Sequence, residues 1–270
     1  MNLLLRGGEW DAVTPADGGW SYLSFRVLRV DGSTTLDTAD EEVVIVPLSG
    51  AAVVRADGVT AGISRHANVF ESRPRSLYLP RDTDTEIEGH AELAFCGARA
   101  ERRREIRAIP PEDVEIEVRG SGNATRQISH IVKPEFPAER ILVVEVHTPA
   151  GNWSSYPPHK HDEERGEHEA VLEETYYFRT RSEQMGAFAV QRLYSPRHGL
   201  DLTETVRDGD LLLVPYGYHT TAAAHGYDLY YLNALAGDRR TMQAADDPDL
   251  AWIRPAWAEL EPDPRVPVVS

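Results

Sequence analysis

The sequence predicts an all-β chain built from two jelly-roll-like β-barrels, and three observations carry that expectation. Short runs of β-branched, aromatic and aliphatic residues recur from end to end, punctuated by Gly, Pro, Asp and Asn. Stretches with a sustained helical period are scarce, which argues against layers of helices covering a parallel sheet. The same kinds of strand and turn return around residues 141–233, as an internal duplication would produce. We therefore expect a first barrel over residues 1–117 and a second over residues 118–270.

In the first half, residues 42–47, 51–55 and 76–80 read as successive short strands, with a turn at Leu48-Ser49-Gly50. Cys96 lies in an apolar, strand-like context and reads as a small core residue rather than a nucleophile. Residues 101–106 carry three consecutive arginines and read as a solvated connector between the halves. In the second half, residues 174–179, 188–194 and 227–233 have strand composition, and the apolar run 211–214 ends in the turn Pro215-Tyr216-Gly217. From Asp246 onward, Pro248, Pro255, Pro262, Pro264 and Pro267 exclude a continuous helix. Trp252 and Trp257 are expected to pin this tail to the barrel or to a second subunit.

With 270 residues, 41% of them hydrophobic, the chain can bury a sizeable core. Its 28 basic against 44 acidic residues give a net charge of −16, which disfavours nucleic acid or an anionic membrane as partner. A small-molecule role fits that charge better. A single cysteine excludes an internal disulfide and a thiolate metal cluster, so a reducing cytoplasm is the expected home. The apolar residues at the N-terminus are too few for a signal segment, and no apolar run approaches the ~20 residues of a membrane span. A homo-oligomer is a further expectation, because barrels of this kind bury sheet edges against a partner.

The chemistry concentrates at His159-Lys160-His161, followed by Glu174 and His219. Alternate residues of a strand share a face, so His159 and His161 present two imidazoles together. Glu173 also follows the pair at a usable distance, but Glu174 is chosen because Tyr176 then shares its inward face while Arg179 points away. Three imidazoles and a carboxylate leave open positions on a metal that takes five or six ligands, as a reaction centre requires. The first half has no equivalent. His66 and His90 stand alone, and Pro80-Arg81-Asp82-Thr83-Asp84 occupies the place corresponding to Pro215 through His219 without a histidine, so a metal-free copy is expected there.

Two motifs then resemble those of the cupin superfamily, which makes the expected architecture a bicupin. Gly209-x5-Pro215-x-Gly217-x-His219 is similar to the second cupin motif, one residue shorter than the usual form. His159-x-His161 with Glu174 is similar to the first, with an insertion over residues 162–173. More closely, Trp153-Ser154-Ser155-Tyr156-Pro157-Pro158-His159 and Gly226-Tyr227-Asp228-Leu229-Tyr230-Tyr231-Leu232-Asn233 resemble the bacterial 5-deoxy-glucuronate isomerase family of inositol breakdown. A more distant resemblance is to the ketol-isomerases acting on 5-keto-4-deoxyuronate. The likeness covers most of residues 120–253 and only loosely the first hundred.

That resemblance implies an aldose–ketose isomerase converting 5-deoxy-D-glucuronate to 2-deoxy-5-keto-D-gluconate with one divalent metal ion. Zinc is the first expectation, with manganese and iron behind it. A sugar acid approaching so acidic a protein needs a local basic pocket, for which Lys160 and Arg192 are the candidates. Gln191, Tyr218 and Tyr231 are candidate hydroxyl binders, and Tyr176 and His225 candidate catalytic groups for proton transfer. Two rival readings use the same pocket: an Fe(II) cupin dioxygenase, and a barrel that binds a sugar acid without turning it over.

Overall fold

The computed structural model describes residues 2–181 and 186–270 and is almost entirely β, with helix confined to single turns such as Pro15–Gly18 and Ile253–Ala256. Its strands form three sheets. The first belongs to the N-terminal half and is dominated by three long antiparallel strands, Leu23–Asp37, Glu41–Ala56 and Asp84–Arg99. Ser76–Leu79, Arg107–Ile109 and Ala12–Val13 extend its two edges, while Val59–Arg65 pairs the far half of Glu41–Ala56. Residues 42–47 and 51–55 are thus one continuous strand. The turn expected at Leu48-Ser49-Gly50 is instead a bend within it, marked by a register shift between Pro47 and Ser49.

Strands of this length cannot stay flat, and the sheet bends where side chains are missing. Gly50 has φ +78°, and a Cβ there would sit 2.2 Å from the His90 carbonyl oxygen of the neighbouring strand. The bend lets the sheet bury both faces. Val43, Ile45, Leu77, Leu93 and Phe95 pack together on one side, while Val44, Val46, Tyr78, Ala94 and Cys96 turn to the other and meet the C-terminal half. Two buried faces explain why residues 43–46 read as an unbroken apolar run rather than an alternating one. Among the described residues no sheet closes on itself into a barrel.

The second sheet is the middle layer. Its order is Leu4–Leu5, Leu211–Val214, Glu173–Arg181, Asp228–Ala236, Ile141–Thr148, Arg126–Val132 and Glu115–Arg119. The boundary expected after residue 117 falls inside its last strand, and its first strand comes from the N-terminus. Arg6 and the Gly7 amide hold that terminus in place through the Asp210 carboxylate, each at 2.9 Å. The third sheet, Leu200–Val206, Ala189–Ser195, Tyr218–Ala223, Trp153–Lys160 and Ala245–Asp246, faces the middle one across Val144, Tyr176, Phe178, Leu193, Leu212 and Tyr231. This pair of facing sheets carries the candidate site.

Two buried carboxylates tie the halves together. Glu42 accepts the backbone N–H groups of Glu139, Arg140 and Ile141 at 2.6–2.8 Å and the Tyr78 hydroxyl at 2.6 Å. Glu145 is ion-paired with Arg65 and accepts the Tyr230 hydroxyl at 2.7 Å, while Arg65 Nε donates to Pro47 O at 2.7 Å. Residues 101–106 lie largely exposed and lead only to Arg107–Ile109, so the arginine run joins strands within the N-terminal sheet rather than the two halves.

Of the two tail tryptophans, one contacts the sheets within the chain, and other residues do most of the anchoring. Trp252 is 66% exposed, while Trp257 lies beneath the Arg126 guanidinium of the middle sheet at 5.8 Å and that of Arg254 at 5.6 Å. The anchors are apolar burial of Ile253, Val266 and Val269, and Gln127, whose amide accepts the Val268 and Val269 N–H groups and donates to Val269 O. Asp263 adds a hydrogen bond from Asn152 at 3.0 Å and an ion pair with Arg265.

Glu42→Ala leaves three backbone donors and a tyrosine hydroxyl buried without an acceptor, and is expected to lower unfolding free energy by about 3–4 kcal/mol in urea titrations. Hydrogen bonding and charge from Arg265 hold the Asp263 carboxyl below its ordinary value. Its contribution is therefore present above the unfolded value of about 3.9 and lost as pH falls through the lower folded one. The stability difference between wild type and Asp263→Asn is expected to persist at pH ~6 and shrink progressively below pH ~4.

Candidate metal centre and its cavity

Site geometry begins with an irregularity in Trp153–Lys160. Ser154 pairs with Thr221, yet the next pair toward the end of the strand is His159 with His219, so residues 155–158 bulge out of register. Ser155 there adopts φ +48°, a left-handed conformation costing a non-glycine residue roughly 1–3 kcal/mol. The bulge sets His159 directly across from His219. His161, just past the strand, then reaches Glu174 on the facing sheet, its Nε2 lying 2.9 Å from Glu174 Oε2.

His161, Glu174 and His219 are all buried, and one donor atom from each lies within 4.8 Å of the others. His159 borders this group, partly open to the cavity, with its ring centroid 4.7 Å from that of His219. The imidazole Nδ1 atoms are all directed at carbonyl oxygens: His161 at Leu172 O (2.8 Å), His219 at Gly217 O (3.2 Å) and His159 at Pro157 O (3.3 Å). A carbonyl only accepts, so each Nδ1 carries the proton and the Nε2 lone pairs are left to converge. His219 Nε2 is buried without a hydrogen-bond partner, although Glu174 Oε2 lies 3.2 Å away. Lone pairs this close to a carboxylate are tolerable only with a cation among them, either a proton on an imidazole or a metal ion. The donor set, two or three imidazoles and one carboxylate, fits a divalent transition metal.

Electrostatics agree with that fit. Burial disfavours the charged form of Glu174, but hydrogen bonds and charge from His161 and His219 outweigh it and hold its carboxyl at about 2. Burial likewise opposes protonation of His161, yet Glu174 raises it above the ordinary imidazole value. Burial, followed by repulsion from His219 and His161, pushes His159 well below that value.

The choice between the two glutamates is decided by the pleat. Glu173 projects from the opposite face of the middle sheet, where its carboxylate accepts the backbone N–H groups of Ser21 (2.6 Å), Tyr22 (3.0 Å) and Leu23 (2.7 Å). It is a tie to the N-terminal half. Tyr176, two residues beyond Glu174, does share the inward face: its ring stands 5.7 Å from that of His219 and its hydroxyl 2.9 Å from Ser155 Oγ. Tyr231 joins the same cluster, with its hydroxyl 2.6 Å from Ser154 Oγ and 3.1 Å from Ser155 Oγ.

The remaining candidates lie elsewhere. His225 is exposed in the turn beyond Tyr218–Ala223, past about 13 Å of strand from His219 to Ala223 at ~3.3 Å per residue, and it does not line the cavity. Arg192 alternates with the inward Gln191 and Leu193, so it stands exposed on the outer face, 3.4 Å from Asp201 and stacked on Tyr194. Lys160 points opposite to its histidine neighbours and is taken up by Asp162 and by Glu169 at 2.7 Å, locking the inserted segment down. Tyr218 is likewise turned away from the centre beside Tyr194. Gln191 is buried inside the sandwich, but its amide is taken up by Thr221 and by the Arg192 carbonyl.

A cavity of about 270 Å³ opens onto His159, His161 and Glu174. Its other walls are Leu172, Leu235, Met242, Gln243 and three arginines, Arg119, Arg126 and Arg254. None of these arginines was singled out in the sequence, because they sit in separate strands and in the tail and share no spacing. Arginines do line the cavity, but they are residues other than Lys160 and Arg192. A larger cleft of about 630 Å³ between the halves offers less, since both arginines on its wall, Arg179 and Arg181, are paired with acids, whereas the smaller cavity keeps Arg126 unpaired among the described residues.

Two facing sheets with a buried His/Glu/His donor group between them define a cupin-like protein whose interior carries ligands of metal-binding type. The chain belongs to the KduI/IolB family, whose model matches residues 6–253. It is 42% identical over 247 residues, 89% of each chain, to a 5-deoxy-glucuronate isomerase of Geobacillus thermodenitrificans, and 37% identical over 248 residues to one of Bacillus subtilis, covering 89% of this chain and 91% of that one. An IolB-like protein from Salmonella typhimurium LT2 superposes with a TM-score of 0.89 at 35% identity, covering 94% of this chain and 100% of that one. An oxalate decarboxylase of Lactobacillus farciminis shares the fold at a TM-score of 0.65 and 14% identity, with 97% of each chain covered.

Glu174→Ala is expected to abolish retention of a transition metal through gel filtration, as read by elemental analysis. Glu173→Ala is expected to retain the metal while unfolding at lower urea concentration. The assignment fails if the two variants behave in reverse.

Proposed function

We propose that this protein is a metal-dependent 5-deoxy-glucuronate isomerase, converting 5-deoxy-D-glucuronate to 2-deoxy-5-keto-D-gluconate in myo-inositol breakdown. The observation that carries this reading is the buried His161–Glu174–His219 group opening on a basic cavity, in a chain 42% identical over 89% of its length to a protein of that activity. Zinc is the metal we favour, with manganese second and iron third. When bound, such an ion supplies Lewis-acid polarisation of a carbonyl oxygen, the term an aldose–ketose interconversion most needs.

The chain's own residues do the rest. His159 and His161 from one sheet and Glu174 from the other hold donors on opposite walls, so the site is rigid in the direction that matters for placing two adjacent substrate oxygens. Burial keeps the Tyr176 hydroxyl protonated, and with Ser155 and Tyr231 it forms a hydroxyl cluster beside His219 that can hold or pass a proton. Leu172, Leu235 and Met242 exclude water from one wall. We further read the chain as a bicupin with its metal site in the second unit only, divided near residue 117, active in the cytoplasm on a free sugar acid, with no nucleic-acid or membrane partner, and as a homo-oligomer. Among the described residues no helix is long and apolar enough to cross a membrane.

Incubation of the metal-loaded protein with 5-deoxy-D-glucuronate is expected to yield the ketose without oxygen uptake, and His161→Ala to lower the rate at least 100-fold. Oxygen consumption, or saturable sugar binding without product by a protein shown to hold its metal, overturns the reading.

A further inference from the structure

Three arginines line the cavity, and only one of them lacks an acid. Arg119 is forked onto Glu117, with Nε and Nη2 at 2.6 and 2.8 Å from the two carboxylate oxygens. Arg254 is forked onto Asp246 in the same way, with Nη2 2.6 Å from Oδ1. Arg126 makes a single hydrogen bond within the protein, from Nη1 to Ala124 O at 3.0 Å, and forms no ion pair with any described residue. It is nevertheless 3% exposed.

An unpaired guanidinium in that position is expensive, because taking it out of water costs several kcal/mol that no counter-charge returns. In a chain with 44 acids to 28 bases, a cation left without a partner is not a matter of short supply. The surroundings hold it there. Trp257 of the tail lies under it at 5.8 Å, and the turn leading into its strand is compressed against it: a Cβ at Gly120, whose φ is +82°, would come within 2.9 Å of Arg126 Nη1. Burial drives its pKa down to about 10, which still leaves it charged at neutral pH. A preset planar fork with free donors facing a cavity is the complement of a carboxylate.

We propose that Arg126 receives the carboxylate of the substrate, so that a uronic acid lies in the cavity with its acid end on this guanidinium and its carbonyl end at His161, Glu174 and His219. The inference rests on the isomerase reading for the identity of the sugar, but not for the existence of an acid-binding end.

Binding of D-glucuronate and of its uncharged carboxamide, measured by calorimetry on the metal-loaded protein, tests it. Wild type is expected to favour the acid by roughly 10- to 100-fold. Arg126→Gln is expected to erase that preference and to raise KM for 5-deoxy-D-glucuronate by a similar factor with a smaller effect on kcat, while Arg126→Lys keeps part of both. Equal binding of the two probes by wild type overturns the proposal with no variant needed, and so does an Arg126→Gln protein with unchanged preference and KM. If wild type prefers the acid through Arg126 yet turns nothing over, the isomerase reading falls and the carboxylate anchor stands.

Discussion

The central strands of the middle sheet, Leu211–Val214, Asp228–Ala236 and Ile141–Thr148, are buried on both faces, and the rest of the structure follows from that. Each of its central strands must satisfy two different interiors at once, and the pleat divides the work residue by residue. In Glu173–Arg181, Glu174, Tyr176 and Phe178 look into the sandwich that holds the site, while Glu173 and Tyr177 look into the contact with the N-terminal half. A one-residue slip would send a metal-type ligand into an apolar interface and an interface tie into the site. Catalytic geometry and packing between the halves are therefore one constraint.

The strand's rigidity also explains how a group of mutually repelling donors survives folding. Converging lone pairs and a carboxylate raise the energy of the interior, and that cost is borne by the large apolar contacts on both sides of the sheet and by carbonyls that hold each Nδ1. The left-handed Ser155 belongs to the same arrangement. Its bulge is the device that lifts His159 level with His219, and strain at this point is the cost of aligning two imidazoles across a sheet that would otherwise place them out of step.

Much of this was legible in the sequence, and what was not has a physical reason. The all-β class, the buried Cys96 and the convergence of His161, Glu174 and His219 follow from period-two logic, which acts over a few residues and needs no knowledge of topology. The same alternation turns Lys160 and Arg192 away from the site, since each stands between residues that face inward. His225 has the right chemical type but lies beyond the end of its strand, in an exposed turn. Arg126 and Arg254 could not have been found by spacing. They come from opposite ends of the C-terminal half and meet only through the tail, whose strand Ala245–Asp246 pairs with His159 and Lys160. Nor could the bend at Gly50 be distinguished from a turn, because glycine marks both.

That last pairing has a consequence for the order of events during synthesis. All the histidines and the glutamate have been made before residue 242, yet the wall formed by Met242, Gln243 and Arg254, and the Trp257 ring beneath Arg126, come afterwards. A nascent chain thus carries the whole His161–Glu174–His219 group while the compartment is still open on that side. The tail that follows closes this side of the compartment over donors already in place.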